Sequence, residues 1–344
     1  MSIALPMGLP ARRILLDEGI EVLGRNDLRR WGRLPLRLCL VNLMPNKIVT
    51  ETQIARLLGA TSIPVELTLC VPDSYRSKTA PADHMASFYR PWTHVREEPF
   101  DGVVVTGAPV ETLPFEEVTY WSDLCRIFDW ARSRMVSNIY ICWAAQAALY
   151  HFHGVPKRQL PEKIFGVFRH RLTNEDSRSL CGFGQEFPAP VSRHTEVRAA
   201  DLPVQAGLTV LAASSDAGLC LVEDHGNRAV YMFNHLEYDA GTLGEEFRRD
   251  QLAGKPIGIP RNYFPDNDPE RAPENIWRPY GHLLFGNWLD AMHRTAWPRV
   301  TDESQIQLAL AAPRSLSSDA YKYSDVPAST ANSPDVLPCT LRAH

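Results

Sequence analysis

Patterns typical of metal-binding, exported and membrane-spanning proteins are missing from this sequence. Its seven cysteines are dispersed, with no C-x-x-C pair and no histidine at metal-ligand spacing, so neither a structural zinc site nor a disulfide framework is expected. No apolar run approaches the roughly 18 residues that a membrane span needs. Residues 1–13 also lack the basic stretch and following apolar stretch of a secretory signal. The sequence therefore predicts no metal site, no membrane contact and a cytoplasmic location.

A strong charge of either sign is also missing. The 344 residues include 36 Lys and Arg and 40 Asp and Glu, which gives a net charge of -4, and 44% of them are hydrophobic. Nothing in this balance favours nucleic acid as a partner. The length and composition are those of a globular protein with a substantial core.

The main feature that the sequence does contain is an alternation of apolar runs and amphipathic segments. Strands are predicted at 36–44, 65–71, 101–106, 139–142, 207–212, 219–222 and 228–233, and helices at 50–58, at 121–134 and after Trp143. Polar residues 72–98 are predicted to form a long excursion over the surface. The alternation indicates an α/β fold, in which a parallel sheet carries helices on both faces. Ligands of such sheets bind beyond the carboxyl ends of the strands, here where the turns at Met44, Gly107 and Cys142 converge.

Three segments of different character follow one another along the chain. Residues 1–34 are predicted to be an N-terminal segment over the core, with a short amphipathic helix between residues 11 and 22. Residues 35–296 are predicted to form the main domain. Residues 297–344 end in a stretch rich in Ser, Ala, Pro and Asp, which predicts a partly disordered C-terminal tail.

Cys142 lies at the predicted corner between a buried strand and the Ala-rich helix that follows Trp143. The first N–H groups of a helix carry partial positive charge, which favours a thiolate over a thiol. An α/β enzyme would place a nucleophile at such a corner. The same pattern also fits a small buried hydrophobic residue in an inert domain, since most free cysteines are of that kind.

His235 and Glu237 follow the last predicted strand and are two residues apart. On an extended segment their side chains would project to the same side. An imidazole held by a carboxylate is the base that a thiol nucleophile or a substrate hydroxyl needs. The alternative is a strand-end histidine that caps a turn beside a solvated glutamate.

Several short motifs, none of them specific alone, occur together in one order. They are Asn42-Leu43-Met44-Pro45, Thr50-Glu51-Thr52-Gln53, Phe100-Asp101-Gly102, Thr106-Gly107-Ala108-Pro109, Cys142-Trp143-Ala144-Ala145-Gln146-Ala147-Ala148-Leu149, His235-Leu236-Glu237-Tyr238-Asp239, Asn262-Tyr263-Phe264-Pro265, Asn267-Asp268-Pro269, and Leu283-Leu284-Phe285 with Asn287-Trp288-Leu289. From about residue 14 to residue 292, the chain thereby resembles the homoserine O-acyltransferase family of methionine biosynthesis. This is the branch with a class I glutamine-amidotransferase-like, doubly wound fold.

The resemblance implies a transfer of an acyl group in two steps. Cys142 would attack the thioester of an acyl-coenzyme A, and homoserine, deprotonated by His235, would then take the acyl group. Glu237 would orient the imidazole and so complete a catalytic triad. The backbone N–H of Trp143 would stabilise the oxyanions, together with that of Ala108 or of a residue in the turn 44–47.

Family positions also imply how the substrates are held. Lys163, Ser192 and Arg249 match positions that bind the amino-acid substrate, with Arg249 paired to its α-carboxylate. Glu111 matches the acyl-specificity position, where its charge would repel the terminal carboxylate of a succinyl group. Lys47 is either a cation for the phosphates of coenzyme A or a solvated turn lysine, and Asn46 replaces a second lysine found in many relatives.

The expected reaction is therefore acetyl transfer to L-homoserine, with acetyl-CoA as co-substrate and no bound cofactor. The family also implies a homodimer. Four alternatives stay open, namely succinyl transfer, L-serine as the acceptor, a glutamine amidotransferase with the same fold, and a relative without activity. Serine stays open because a pocket distinguishes one methylene by only about 1–3 kcal/mol.

Overall fold

A computed structural model describes residues 2–24 and 34–296 of the chain. These residues form a single sheet of twelve strands. The strands are β1 (Ser2–Ala4), β2 (Glu21–Leu23), β3 (Leu36–Val41), β4 (Val65–Val71), β5 (Tyr89–Pro91), β6 (Gly102–Val105), β7 (Ser137–Ile141), β8 (Arg158–Leu172), β9 (Glu186–Glu196), β10 (Leu208–Ser214), β11 (Gly218–Asp224) and β12 (Ala229–Met232). The helices are α1 (Ala11–Asp17), α2 (Lys47–Gly59), α3 (Ala82–Phe88), α4 (Trp121–Ser133), α5 (Trp143–His153), α6 (Thr242–Leu252) and α7 (Arg278–Ala296).

The order of strands across the sheet is β2-β1-β4-β3-β6-β7-β12-β11-β10-β8-β9, and β5 also pairs with β4. Every pairing from β2 to β12 is parallel, as is that of β5. The pairings from β12 to β9 are antiparallel. The sheet is therefore parallel in its centre and on one side, and antiparallel on the other.

Helices cover both faces of the central strands. On β3 and β6 neighbouring residues point to opposite faces, so that Leu40 and Val104 belong to one buried cluster and Val41 and Val105 to another. The first cluster includes side chains from α1, α2, α6 and α7, whereas the second includes α4 and α5. The predicted α/β fold, a doubly wound and mostly parallel sheet with helices on both faces, is thereby confirmed.

Parts of the fold differ from the sequence-based predictions. The N-terminal segment contains α1, but it also adds β1 and β2 to the edge of the sheet. Residues 72–98 are not only a surface excursion, because they include α3 and β5 and bury His84, Tyr89 and Trp92. No strand is predicted at β8 or β9, although they form the longest antiparallel pair.

The described residues belong to one compact unit, and the tail predicted at 297–344 lies outside them. Within residues 2–24 and 34–296, no helix is both long and apolar enough to cross a membrane. The same part of the chain contains no cluster of His, Cys, Asp and Glu that would hold a metal ion. Five cysteines of this part of the chain carry free thiols, namely Cys39, Cys70, Cys125, Cys142 and Cys220.

Candidate active site

Cys142 is the single residue between the end of β7 and the start of α5. Its backbone has φ 52 and ψ -114, a conformation that costs a non-glycine residue of order 1–3 kcal/mol and is concentrated at functional sites. The Cys142 N–H donates to the carbonyl of Met232 on β12, at 2.6 Å, so the neighbouring strand supports the corner. Trp143 is the first residue of α5, and helix geometry leaves its N–H without an acceptor inside the helix.

Gly107 brings a second turn against this corner. A β-carbon at Gly107 would lie 3.2 Å from the Cys142 β-carbon and 3.7 Å from the Trp143 nitrogen. A larger residue would therefore push the two turns apart. Met44 and Ala108 line the same cavity as Cys142, so the three turns that were predicted to converge do so.

A cavity of about 640 Å³ lies over the carboxyl ends of the central strands. Six of the predicted site residues line it, namely Ala108, Glu111, Cys142, Ser192, His235 and Arg249. Trp143, Lys163 and Glu237 do not line it; the side chain of Glu237 lies behind His235, and that of Lys163 contacts Glu246, another lining residue. Cys142 is 8% exposed and His235 is 3% exposed, so only a small part of each residue faces the cavity.

His235 is held between two side chains of its own turn. Its Nδ1 lies 2.7 Å from Glu237 Oε1, and the Tyr238 ring stacks on the imidazole at 4.1 Å between centroids and 14° between planes. The Tyr238 carbonyl accepts hydrogen bonds from Trp277 Nε1 and Asn275 Nδ2, which fixes the turn. The extended segment predicted for His235 and Glu237 is wrong, because residues 236 and 237 form a turn.

The imidazole of His235 is biased towards its protonated form. Burial alone would lower the pKa of His235, but the negative charges of Glu237 and Cys142, with hydrogen bonds to both side chains, raise it to about 10. Cys142 lies near enough for its charge to act on the imidazole, and both residues line the same cavity. Such a pair is poised to exchange a proton as the charge on sulfur changes.

Glu246 on α6 is a site residue that the sequence patterns did not single out. Its Oε1 accepts hydrogen bonds from Lys163 Nζ at 2.6 Å and from Ser192 Oγ at 2.9 Å. Arg249 NH2 lies 3.7 Å from the same oxygen and 2.9 Å from Asp250 Oδ1. The three predicted substrate residues thus meet at one carboxylate, although Arg249 is also paired within α6 and is 62% exposed. A glutamate on an amphipathic helix is usually a solvated residue, so only the folded chain reveals its position.

Glu111 and Lys47 are both held by the protein around the cavity. The Glu111 carboxylate accepts a hydrogen bond from the His194 N–H at 3.0 Å. Lys47 is only 1% exposed, and its ammonium donates to the Asn42 carbonyl and to the Tyr75 hydroxyl. Burial lowers the pKa of Lys47 to about 7, against the opposing charge of Glu51. The alternative in which Lys47 is a solvated turn lysine is therefore wrong.

A buried hydrogen-bond chain supports the segment that carries His235. Arg193 NH1 donates to Asn234 Oδ1 at 2.9 Å, and Asn234 Nδ2 donates to His170 Nε2 at 2.8 Å. This direction requires that His170 is neutral, with its proton on Nδ1. Burial and then the charge of Arg193 lower the pKa of His170 from 6.5 to about 4.

The neutral state of His170 predicts a loss of stability in acid. Between about pH 6.5 and pH 4, His170 binds a proton in the unfolded chain but stays neutral in the folded protein. The free energy of unfolding therefore falls as the pH drops through this interval, by up to about 3 kcal/mol. Urea unfolding of the native protein and of His170→Gln, at several pH values in this range, measures the effect. The variant should lose less stability in acid, and an equal loss in both proteins would contradict this role.

Comparisons with known proteins show the family of this chain. The family model described as homoserine O-succinyltransferase matches residues 2–297. A protein of Rhizorhabdus wittichii named homoserine O-acetyltransferase is 54% identical over 295 residues, which cover 86% of this chain and 92% of that protein.

Solved structures show a likeness at much lower sequence identity. The crystal structure of SMU.1228c is 16% identical with a TM-score of 0.51, over 75% of this chain and 99% of that one. A glutamine amidotransferase from Thermotoga maritima is 14% identical with a TM-score of 0.48, over 75% and 97% of the two chains. The likeness to SMU.1228c concerns the fold alone. Because the family model covers nearly the whole described chain and the relative exceeds half identity over most of it, this chain belongs to the homoserine O-succinyltransferase family, as its motifs predicted.

Proposed function

We propose that this protein transfers the acetyl group of acetyl-CoA to the hydroxyl of L-homoserine through an acyl-thioester on Cys142. The observation that carries the proposal is that Cys142, at a strand-to-helix corner, and His235, paired with Glu237, line the same cavity, where the charge on sulfur acts on the imidazole. A relative that is 54% identical and is named homoserine O-acetyltransferase supports the choice of reaction.

The first half-reaction moves the acyl group to the enzyme. The Cys142 thiolate forms a bond to the acyl carbon, the bond from this carbon to the coenzyme A sulfur breaks, and the leaving sulfur takes the proton of the His235 imidazolium. The tetrahedral oxyanion needs donors that already point at it. The N–H of Trp143 at the start of α5 is one donor, and that of Ala108 in the adjacent turn is the second.

The loss of charge on sulfur prepares the second half-reaction. Once Cys142 is a neutral thioester, its negative charge no longer raises the pKa of His235, and the imidazole becomes a base. It takes the proton of the homoserine hydroxyl while the hydroxyl oxygen bonds to the acyl carbon. Cleavage of the thioester then restores the thiolate, and the proton stays on His235. Glu237 stabilises the charged ring in both steps.

The cluster around Glu246 accounts for recognition of the amino acid. The Glu246 carboxylate would accept hydrogen bonds from the α-ammonium group. Arg249 would give up part of its ion pair with Asp250 and bind the α-carboxylate instead. Lys163 and Ser192, both hydrogen-bonded to Glu246, hold this carboxylate in place and add donors for the substrate. Homoserine would therefore lie between α6 and Cys142, with its hydroxyl towards His235.

Glu111 explains the preference for an acetyl donor. Its carboxylate lines the cavity beyond Ala108, where a succinyl group would have to place a second negative charge in a confined space. Replacement of Glu111 with glycine is expected to raise kcat/KM for succinyl-CoA relative to acetyl-CoA by about tenfold or more. Glu111→Gln, which keeps the volume but removes the charge, separates repulsion from steric exclusion. A native enzyme that already prefers succinyl-CoA would contradict the charge argument.

Steady-state kinetics with pairs of substrates test the reaction as a whole. Acetyl-CoA and homoserine should give parallel double-reciprocal lines, because the two substrates bind to different forms of the enzyme. Serine in place of homoserine, and succinyl-CoA in place of acetyl-CoA, should each give a lower kcat/KM. Ammonia release from glutamine without coenzyme A would favour an amidotransferase, and no turnover with any donor would favour a relative without activity.

Two further parts of the proposal concern the protein in the cell. We place it in the cytoplasm, where coenzyme A thioesters and amino acids are available, and as a homodimer, as its family implies. Sedimentation of the purified chain measures the second point, and a monomer at the working concentration would contradict it.

A further inference from the structure

The loop between Ala108 and Phe115 is held by a lysine from another part of the chain. Lys157 lies after α5 and just before β8. Its ammonium donates a hydrogen bond to the Glu111 carbonyl at 2.6 Å and another to the Leu113 carbonyl. It also lies 4.4 Å from the centre of the Phe115 ring, a favourable position for a cation. One side chain therefore fixes three points of this loop.

The Glu111 side chain is fixed separately, on β9. Its Oε2 accepts from the His194 N–H at 3.0 Å, and the Thr195 hydroxyl lies 3.4 Å away. That hydroxyl donates to Gln146 Oε1 on α5, at 2.8 Å. The backbone of Glu111 thus depends on Lys157 while its carboxylate depends on β9, and the carboxylate stays at the cavity wall only if both attachments hold.

Lys157 is well suited to hold the loop and has no other strong partner. Among residues 2–24 and 34–296 it forms no ion pair with a carboxylate within 4.0 Å, since its hydrogen bonds go to the two loop carbonyls. Hydrogen bonds from a charged donor are about twice as strong as neutral ones. Without this ammonium, two partly buried carbonyls lose their donor, and the loop would be free to carry the Glu111 carboxylate away from the cavity.

We propose that Lys157 is a positioning residue for acyl-donor selectivity, which keeps Glu111 where it excludes donors with a second carboxylate. This role rests on the proposed function, in which Glu111 selects acetyl-CoA. Lys157 itself does not line the cavity, and it reaches the lining only through the backbone of Glu111. Its removal should therefore change the choice between donors more than the rate with the preferred donor.

The test compares donor selectivity in four purified variants of the full chain. Lys157→Met keeps the length of the side chain without its charge, Lys157→Arg keeps the charge, Glu111→Gly removes the carboxylate, and Lys78→Met removes an exposed lysine as a control. For Lys157→Met we expect the ratio of kcat/KM for succinyl-CoA to that for acetyl-CoA to rise roughly tenfold, with kcat for acetyl-CoA within about threefold of native. Lys157→Arg should stay near the native ratio, and Lys78→Met should match it.

A double variant shows whether Lys157 acts through Glu111. If it does, addition of Lys157→Met to Glu111→Gly produces no further rise in the ratio, because the two changes are not additive. A raised ratio in Glu111→Gly but a native ratio in Lys157→Met overturns the role of Lys157 and leaves the proposed function intact. Native ratios in both variants overturn donor selection by Glu111 itself, and with it this role. If Lys157→Met does not fold, Lys157→Gln takes its place. A native-like melting temperature with a raised ratio of kcat/KM for succinyl-CoA to that for acetyl-CoA then supports the proposal, and a native ratio overturns it.

Discussion

Replacement of Cys142 with alanine is expected to lower kcat for acyl transfer by at least about a thousandfold, because the covalent route through the thioester is lost entirely. The folded state should tolerate this change, since alanine keeps the β-carbon in the same backbone conformation and removes only the small thiol. Initial rates of homoserine acetylation, with circular dichroism as a check of folding, measure the effect.

The matched control is Cys125→Ala, which removes another free thiol on α4, away from the cavity lining. It should leave kcat within about twofold of native, since the side chain has no contact with the site. A Cys142→Ala enzyme that keeps more than about a tenth of native activity would show that the acyl group moves directly between substrates, without a covalent intermediate.

Replacement of Glu237 with glutamine is expected to lower kcat by roughly 10²–10⁴. Glutamine keeps the shape of the side chain and an oxygen for His235 Nδ1, but it removes the charge that stabilises the imidazolium. The pKa of His235 should therefore fall from its raised value, and the basic limb of the pH profile of kcat/KM for acetyl-CoA, which needs the imidazolium, should move to lower pH. Initial rates across the pH range measure both changes.

The control for Glu237 is a similar pair outside the site. His151 Nε2 lies 2.9 Å from Asp129 Oδ1, and neither residue lines the cavity. Asp129→Asn should leave kcat and its pH profile unchanged. A Glu237→Gln enzyme with a native pH profile and only a small loss of kcat would contradict the proposed role of the carboxylate.

The centre of the fold was predictable because its strands are buried on both faces. A segment such as β6, with the sequence GVVV, appears as a short, continuous apolar run, which is typical of parallel strands between two layers of helices. The antiparallel pair β8–β9 gives no such run, since the first seven residues of β8 are exposed or half-buried and include Pro161, and Gly166 lies within its short buried stretch. The first strand, with three residues, is too short to show a period.

The candidate site was predictable where chemistry is encoded locally, and not where it depends on packing. Cys142 stands out because a strand, a thiol and a helix follow one another, and His235 and Glu237 because they are close in the sequence. Glu246 and Lys157 carry no such local sign. Their positions follow only from the packing of α6 beside β9, and of the segment before β8 against the loop at Glu111.

The central claim is that a single sulfur carries the acyl group between the two substrates. It is tested most directly by the intact mass of the native protein after brief incubation with acetyl-CoA alone, followed by peptide mapping. The account predicts a gain of one acetyl group, located on Cys142 and removed when homoserine is added. An unmodified protein that still acetylates homoserine, or a label on any other residue that homoserine discharges, would contradict it.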